Sequence, residues 1–163
     1  AEFVPIFEKH HATISGGNEK IALHYESQLF DKDLLHLLAE TLPKDRMIHY
    51  TSAGIHKDDL NFQINGQPIK KFGSQGQQKS FLIAMRLAQF DWLKARLNVS
   101  PILLLDDIFD KLDNFRVAQL MSLVSKNTFG QVLVTDTDEI RVEGIFQAIG
   151  VQPNIILFDP ITP

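Results

Sequence analysis

The sequence predicts an α/β fold, and three observations support this prediction. After Phe72, segments with helical periodicity alternate with short aliphatic runs, which is the order of a parallel sheet flanked by helices. The run 102–105 is entirely aliphatic and leads directly into Asp106 and Asp107. A polar turn at Ser74 opens a long amphipathic helix.

Size, charge and composition narrow the class of protein. A chain of 163 residues with 44% hydrophobic residues can bury the core of one ordinary domain. It has no cysteine, which excludes disulfides, thiolate zinc sites and thiol nucleophiles. Its apolar runs are too short to cross a bilayer and no secretion signal opens it, so we expect a cytoplasmic protein without a membrane partner. The net charge of -4 argues against a generally basic DNA-binding surface.

The segment before Phe72 is predicted to begin with a strand and a short helix. Apolar and polar residues alternate over 20–29, as on a half-buried strand. Asp31 or Asp33 would cap the helix, and Pro43 would end it. The apolar residues of this helix are Leu34, Leu35, Leu37 and Leu38.

A β-hairpin is predicted next. Apolar side chains alternate over 60–64, and Asn65-Gly66 is a dipeptide that favours a two-residue hairpin turn. The return strand would run through Ile69. His10 and His11 would lie on opposite faces if their segment were a strand, so we expect ordinary surface histidines and no metal pair.

Helices and strands alternate after Phe72. A helix over about 77–97 would bury Phe81, Ala84, Met85, Ala88 and Trp92. The strand 102–105 is aliphatic throughout, which suggests burial on both faces.

The remaining elements continue the alternation. Asp113 or Asn114 would cap a helix with the inner stripe Val117, Leu120, Met121 and Val124. A buried strand over 131–135, a helix over 140–149 and a last strand over 154–158 would follow.

Asp106 and Asp107 are the strongest candidates for chemistry, because the carboxyl end of a parallel strand is where such sheets present ligands. In phosphoryl transfer one carboxylate holds magnesium and a neighbour orients the attacking water. Asp106 fits the first role and Asp107 the second. A charged turn at a strand end is the alternative, and the continuation 110–113 favours the functional reading.

The turn at Ser74 has the features of an anion site, because it offers a hydroxyl, a glycine and the free amides of a helix N-terminus. A plain helix cap explains Ser74 equally well. The segment 73–80 also resembles a phosphate-cradling loop with Lys79 as its lysine, but Gln78 stands where the second glycine is needed. The cradle that should precede these two segments is missing, which suggests half of an ATPase.

In these segments the chain resembles the C-terminal part of the RecF family of DNA-repair ATPases, relatives of ABC and SMC proteins. The signature motif is matched by Ser74-Gln75-Gly76-Gln77-Gln78-Lys79-Ser80, the Walker B strand by Leu103-Leu104-Leu105-Asp106-Asp107, and the D-loop by Asp110-Lys111-Leu112-Asp113. Further matching blocks are Gly54-Ile55-His56-Lys57-Asp58-Asp59-Leu60, and Ile14-Ser15-Gly16-Gly17 with Leu23-His24-Tyr25.

The resemblance implies a partial ABC-type P-loop NTPase domain, with a parallel sheet and flanking helices and an N-terminal strand and helix segment. Residues 1–50 would be the remainder of an accessory domain, and 51–163 the C-terminal half of the ATPase domain. ATP bound at an upstream Walker A loop would join two subunits head to tail. Asp106 would hold Mg²⁺ and Asp107 would be the catalytic carboxylate. The residues implied to contact ATP are Ser74, Gln75, Gly76, Gln77, Gln78, Asp113 and Asp136.

Two departures weaken the implied catalysis. Asp107 stands where ABC proteins usually have glutamate, and Asp136 or Thr137 stands where a histidine is expected after the strand 131–135. The resemblance therefore implies slow hydrolysis used as a switch, and an inactive chain without Walker A. It also implies single-strand and gapped duplex DNA, RecO and RecR as binding partners, and an ATP-dependent homodimer. The implied cellular roles are recombinase loading and the SOS response. The alternatives are a non-catalytic interaction domain and a small P-loop phosphotransferase that uses Lys79.

Overall fold

The computed structural model describes residues 2–126 and 129–158. The helices and strands, in chain order, are α1 (Phe3–Ser15), β1 (Ile21–Glu26), α2 (Leu34–Ile48), β2 (Asp59–Ile64), β3 (Gln67–Pro68), α3 (Ile69–Phe72), α4 (Gln75–Leu97), β4 (Leu103–Asp106), α5 (Asn114–Val124), β5 (Val132–Thr135) and α6 (Glu139–Ala148). Within the described residues, no helix has the length and apolar character needed to span a membrane.

The chain divides into two compact units, one built from the residues up to Glu19 together with those from Gly73 onward, and the other from Lys20–Phe72. The first unit is discontinuous because α1 packs along α4. The predicted division between 1–50 and 51–163 concerns the domains of the family and stays a prediction, whereas the compact units separate the chain at other places.

The unit Lys20–Phe72 contains an antiparallel sheet in the order β1-β2-β3. The predicted hairpin at Asn65-Gly66 is confirmed, and both residues have the positive φ, 50° and 77°, that such a turn requires. The return strand is shorter than predicted, since it ends at Pro68 and Ile69 begins α3. Proline has no N–H to extend the ladder, which explains the early end.

Helix α2 begins as predicted, with the Asp33 carboxylate accepting the His36 amide at 3.0 Å. The prediction that Pro43 ends it is wrong, because α2 continues to Ile48. The proline removes one intrahelical hydrogen bond, but the Asp45 carboxylate in the last turn accepts hydrogen bonds from Thr41 and Ser52. Among the four predicted leucines only one, Leu37, is buried.

Helix α1 was not predicted, and it supplies much of the core of its unit. Phe7 and Ile14 are fully buried, and the Phe7 ring packs edge-on against Phe81 of α4, with 4.7 Å between the ring centroids. Each such burial contributes about 2 kcal/mol. The expectation of surface histidines is wrong, because helical spacing places His10 and His11 on the same buried side as Phe7 and Ile14.

Helix α4 begins two residues earlier than predicted and packs through a wider face. Phe81, Ala84 and Ala88 are buried as predicted, whereas Met85 and Trp92 are only partly buried. The face is completed by Ile83, Leu87 and Phe90. The predicted inner stripe of α5 is confirmed, since all four of its residues are buried.

Strands β4 and β5 pair in parallel, in register from Leu103 opposite Val132 to Asp106 opposite Thr135. The prediction that both sheet faces are buried is wrong, because Leu103 and Leu105 are buried but Leu104 is 68% exposed. Among the described residues of β4, burial is therefore confined to the face that carries Leu103 and Leu105. The predicted strand over 154–158 is absent from the structure, where this segment pairs with no strand of the described residues and its apolar side chains are exposed.

Candidate functional site

The turn at Ser74 forms the N-terminus of α4. The Ser74 hydroxyl accepts the Gln77 amide at 3.2 Å, and the Ser74 amide donates to Gln77 Oε1 at 2.8 Å. This reciprocal pair is a capping box. Ser74, Gln75 and Gln78 are exposed, and Gly76 and Gln77 are partly exposed. The positive end of a 23-residue helix therefore faces outward, as an anion site requires.

The structure contradicts a phosphate cradle over 73–80. Helical residues begin at Gln75, and the Gln78 amide already donates to the Ser74 carbonyl at 2.9 Å. A cradle needs a non-helical loop before its lysine, so that the loop amides can surround the phosphate. Lys79 instead lies in the first turns of α4, where its ammonium donates to the Asp107 carbonyl at 2.6 Å.

Asp106 is the last residue of β4, and its exposed carboxylate accepts a hydrogen bond from the Thr135 hydroxyl at the end of β5. Thr135 was not singled out in the sequence, although the shared carboxyl edge of two parallel strands was a usable signal. Asp107 follows in a left-handed conformation with φ of 47°, and its side chain is exposed. The chain therefore turns sharply where the two carboxylates lie.

The donor set at Asp106 suits a metal that takes few protein ligands. Within the described residues, no group of three or more histidine, aspartate or glutamate side chains could hold a metal ion. Mg²⁺ is commonly held by one or two carboxylates, with phosphate and water oxygens completing its octahedron. One exposed carboxylate beside a hydroxyl is compatible with that arrangement.

The Ser74 turn and the segment after Asp106 lie side by side. In addition to the contact between Lys79 and Asp107, the α carbon of Gly76 approaches the backbone of Lys111 closely. A Cβ at Gly76 would lie 3.1 Å from the Lys111 carbonyl oxygen, which is tighter than ordinary packing. The two sequence motifs are therefore joined by direct contacts within one unit.

Asp113 caps α5, as predicted, and is largely exposed. Its carboxylate accepts the Arg116 amide at 2.8 Å and the Arg116 Nε at 3.2 Å. The same guanidinium donates to Glu19 at 2.6 Å and to the Ser80 hydroxyl at 2.9 Å. Arg116 thus connects Asp113 to both α4 and the segment after α1.

Glu19 accepts hydrogen bonds from Arg116 and, at 3.0 Å, from Gln77 Nε2. Burial acts to raise the pKa of Glu19, but these donors outweigh it, and the pKa is below its ordinary value. Burial likewise acts to lower the pKa of Arg116, but the hydrogen bonds and negative charges of Glu19 and Asp113 together outweigh it and raise that pKa. Neither residue was singled out in the sequence, because 97 positions separate them.

Asp136 lies directly after β5, and its side chain is only 1% exposed. Both carboxylate oxygens accept hydrogen bonds from Arg141, at 2.6 and 2.7 Å, and one also accepts the Asp138 amide at 2.8 Å. Burial acts to raise the pKa of Asp136, but these donors lower it overall. The structure thus shows Asp136 in an ion pair within the protein.

The chain is similar to several curated proteins named DNA replication and repair protein RecF. It is 60% identical over 147 residues to the Flavobacterium johnsoniae protein, covering 90% of this chain and 41% of that protein. It is 49% identical over 148 residues to the Parabacteroides distasonis protein, covering 91% of this chain and 40% of that one. The chain thus spans about two fifths of the length of these relatives. No family model matches it.

Solved structures described as the recombination mediator protein RecF in the RecFOR pathway share the fold. The structure with ATP has a TM-score of 0.64 at 21% identity, covering 85% of this chain and 40% of that one. A second, described as RecF-ATPrS, has a TM-score of 0.61 at the same identity and coverage. The fold of the chain is that of a partial ABC-type P-loop NTPase. The chain therefore belongs to the RecF family, and the share of its relatives that it covers fits a C-terminal part of a RecF protein.

Proposed function

We propose that this chain contributes the signature and Walker B segments of a RecF-like DNA recombination and repair ATPase, in which two subunits share each nucleotide. One observation carries the proposal. The exposed N-terminus of α4 and the exposed carboxylates after β4 are joined by the contacts from Lys79 to Asp107 and from Gly76 to Lys111. The helix N-terminus and the carboxylates are therefore neighbours within one unit.

The Ser74 turn would contact the terminal phosphate of ATP held by the partner subunit. Ser74 and Gln77 would supply a hydroxyl and amides, and Gly76 would allow the backbone to approach closely. Gln75 and Gln78 flank these groups on the exposed first turn. The helix end favours negative charge by about 0.3–1 kcal/mol for an exposed site.

The carboxylates after β4 would serve the nucleotide held within the subunit. Asp106, supported by Thr135, would hold Mg²⁺, which neutralises charge on the phosphates. Asp107 would orient the attacking water. Asp113 would cross the subunit boundary. Asp136 follows β5 at the same edge of the sheet and would contribute to the ATP site, with its carboxylate held by Arg141.

The intact protein would act on DNA at gaps and at junctions of single and double strands. It would form a homodimer with ATP, hydrolyse it slowly, and help to load recombinase together with RecO and RecR, in the cytoplasm and in the SOS response. The names of the relatives support the repair role. The net charge of -4 favours DNA contacts that are local or shared with other parts of the protein.

The test uses the full-length protein that contains this sequence. Ser74→Arg should leave ATP binding intact and abolish ATP-dependent association in sedimentation, because a bulky cation then fills the phosphate site. Asp106→Asn should weaken Mg²⁺-dependent ATP binding. Asp107→Asn should allow association but lower turnover by roughly 100-fold, as expected for a lost water-orienting group. Asp31→Asn, an exposed carboxylate in the other unit, is the control.

Full association and turnover in the Ser74, Asp106 and Asp107 variants would overturn the proposal. That result would instead favour a non-catalytic interaction domain that keeps only the fold of an ATPase.

A further inference from the structure

We propose that Glu19 and Arg116 form a positioning pair that fixes the Ser74 turn and Asp113 relative to each other, so that both are presented to the partner subunit together. The inference rests on the proposed function, and it concerns residues that the motifs do not include. Both side chains are largely buried, with exposed fractions of 9% for Glu19 and 13% for Arg116. Neither belongs to the residues proposed above to contact nucleotide.

One arm of the pair reaches the Ser74 turn through Gln77. Glu19 Oε1 accepts Gln77 Nε2 at 3.0 Å, and Gln77 Oε1 accepts the Ser74 amide at 2.8 Å. Because the amide group of a glutamine is planar, fixing its nitrogen on Glu19 also fixes the direction of its oxygen. The carboxylate of Glu19 therefore determines how the first turn of α4 is held.

The other arm reaches the D-loop through Arg116. Its guanidinium donates to Glu19, to the Ser80 hydroxyl and to the Asp113 carboxylate, which belong to three separate segments. The Ser80 hydroxyl in turn donates to the Gly76 carbonyl at 2.8 Å, inside the same first turn. The planar fork of arginine holds these acceptors in fixed directions, which lysine does not do.

The ion pair between Glu19 and Arg116 holds both the Ser74 turn and Asp113 in place. A largely buried carboxylate or guanidinium that loses its partner is strongly unfavourable, so Glu19 and Arg116 keep each other in place. When a phosphate draws Ser74 and the Gln77 amide toward it, the Gln77 side chain stays tied to Glu19. The Asp113 side chain stays tied to the same arginine, and so both interface groups are ordered before association.

The experiment compares Glu19→Gln and Arg116→Lys with wild type in the full-length protein. The dissociation constant of ATP-dependent self-association should rise by about tenfold, the scale of typical coupling between sites. The ATP affinity of the single subunit should change by less than about twofold, since both side chains are largely buried and outside the proposed nucleotide contacts. Arg116→Lys keeps the charge that Glu19 needs, so it carries the test if Glu19→Gln does not fold.

Arg96→Lys is the matched control. Arg96 pairs with Glu2 at 2.7 Å in the same unit, but both side chains are exposed, so association should stay at the wild-type level. A parallel loss of thermal stability, ATP affinity and association in Arg116→Lys would show a general structural role and would overturn the inference.

The outcome of Ser74→Arg separates the inference from the proposed function. If Ser74→Arg abolishes association while Glu19→Gln and Arg116→Lys associate as wild type does, the positioning pair is refuted and the shared nucleotide site stands. If Ser74→Arg also associates normally, the shared site itself is refuted.

Discussion

The ammonium of Lys79 lies 2.6 Å from the main-chain carbonyl oxygen of Asp107. Lys79 belongs to the helix that starts at the Ser74 turn, and Asp107 follows the strand that ends in Asp106. The carbonyl that accepts this hydrogen bond belongs to a residue with positive φ, in the sharp turn after the strand. Lys79 thus acts as a structural link between the two motifs.

We expect Lys79→Met to leave ATP binding by the full-length protein within about threefold of wild type, because Lys79 contacts the protein backbone and no cradle surrounds it. The loss of one hydrogen bond should cost about 1 kcal/mol of stability. Without the rest of the full-length protein, the chain should bind little nucleotide, whether position 79 holds lysine or methionine. Equilibrium titration with a fluorescent ATP analogue measures ATP binding by the full-length protein and by the chain alone. Tight binding by the chain alone, removed in Lys79→Met, would restore the phosphotransferase hypothesis.

The close approach of Gly76 to Lys111 predicts an unusual response to alanine. Alanine normally stabilises a helix by up to about 1 kcal/mol relative to glycine. At Gly76 the added Cβ would lie 3.1 Å from the Lys111 carbonyl oxygen, so we expect that gain to be lost and ATP-dependent association of the full-length protein to weaken.

Gly144→Ala is the matched control, since Gly144 is also helical and an added Cβ would meet nothing within 4 Å. Urea unfolding should show stabilisation by Gly144→Ala and none by Gly76→Ala. Equal gains in the two variants would contradict the packing argument.

His11 predicts a loss of stability in mild acid. Burial lowers its pKa below 6.5, Glu19 opposes this shift and Arg116 reinforces it. The unfolded chain then binds more protons than the folded chain just below pH 6.5, so stability is full above that pH and falls as the pH decreases. His11→Gln should flatten the pH dependence of the unfolding free energy as the pH falls below 6.5.

An unchanged slope in His11→Gln would show that another group causes the acid sensitivity.

The exposed face of the parallel sheet predicts self-association of the chain. Ile102, Leu104 and Leu133 are exposed there, and unpaired strand edges accompany them. Leu104→Thr should reduce self-association in sedimentation velocity without a large loss of stability. Leu105→Thr, on the buried face, should instead cost about 2–4 kcal/mol in urea unfolding. A monomeric wild-type chain would contradict the prediction.

Local patterns were sufficient for the elements whose signals lie within a few residues. The turn at Asn65-Gly66 was predicted and is confirmed, and the structure selects Asp33 over Asp31, and Asp113 over Asn114, as helix caps. Ser74 is also a cap, which was one of its two interpretations. Each of these features depends on contacts between near neighbours. Helix α1 was missed because its burial depends on α4, which is far away in sequence.

The sequence by itself determined the order of helices and strands from the Ser74 turn to α6, the positions of that turn and of Asp106 and Asp107, and the resemblance to the RecF family. Each of these follows from residue types at short, fixed spacings. Only the tertiary structure decided that Lys79 donates to the backbone of Asp107, and that Glu19 and Arg116 connect the Ser74 turn to Asp113. Such contacts depend on how distant segments pack, because the free energy of a buried charge is set by its partners in space.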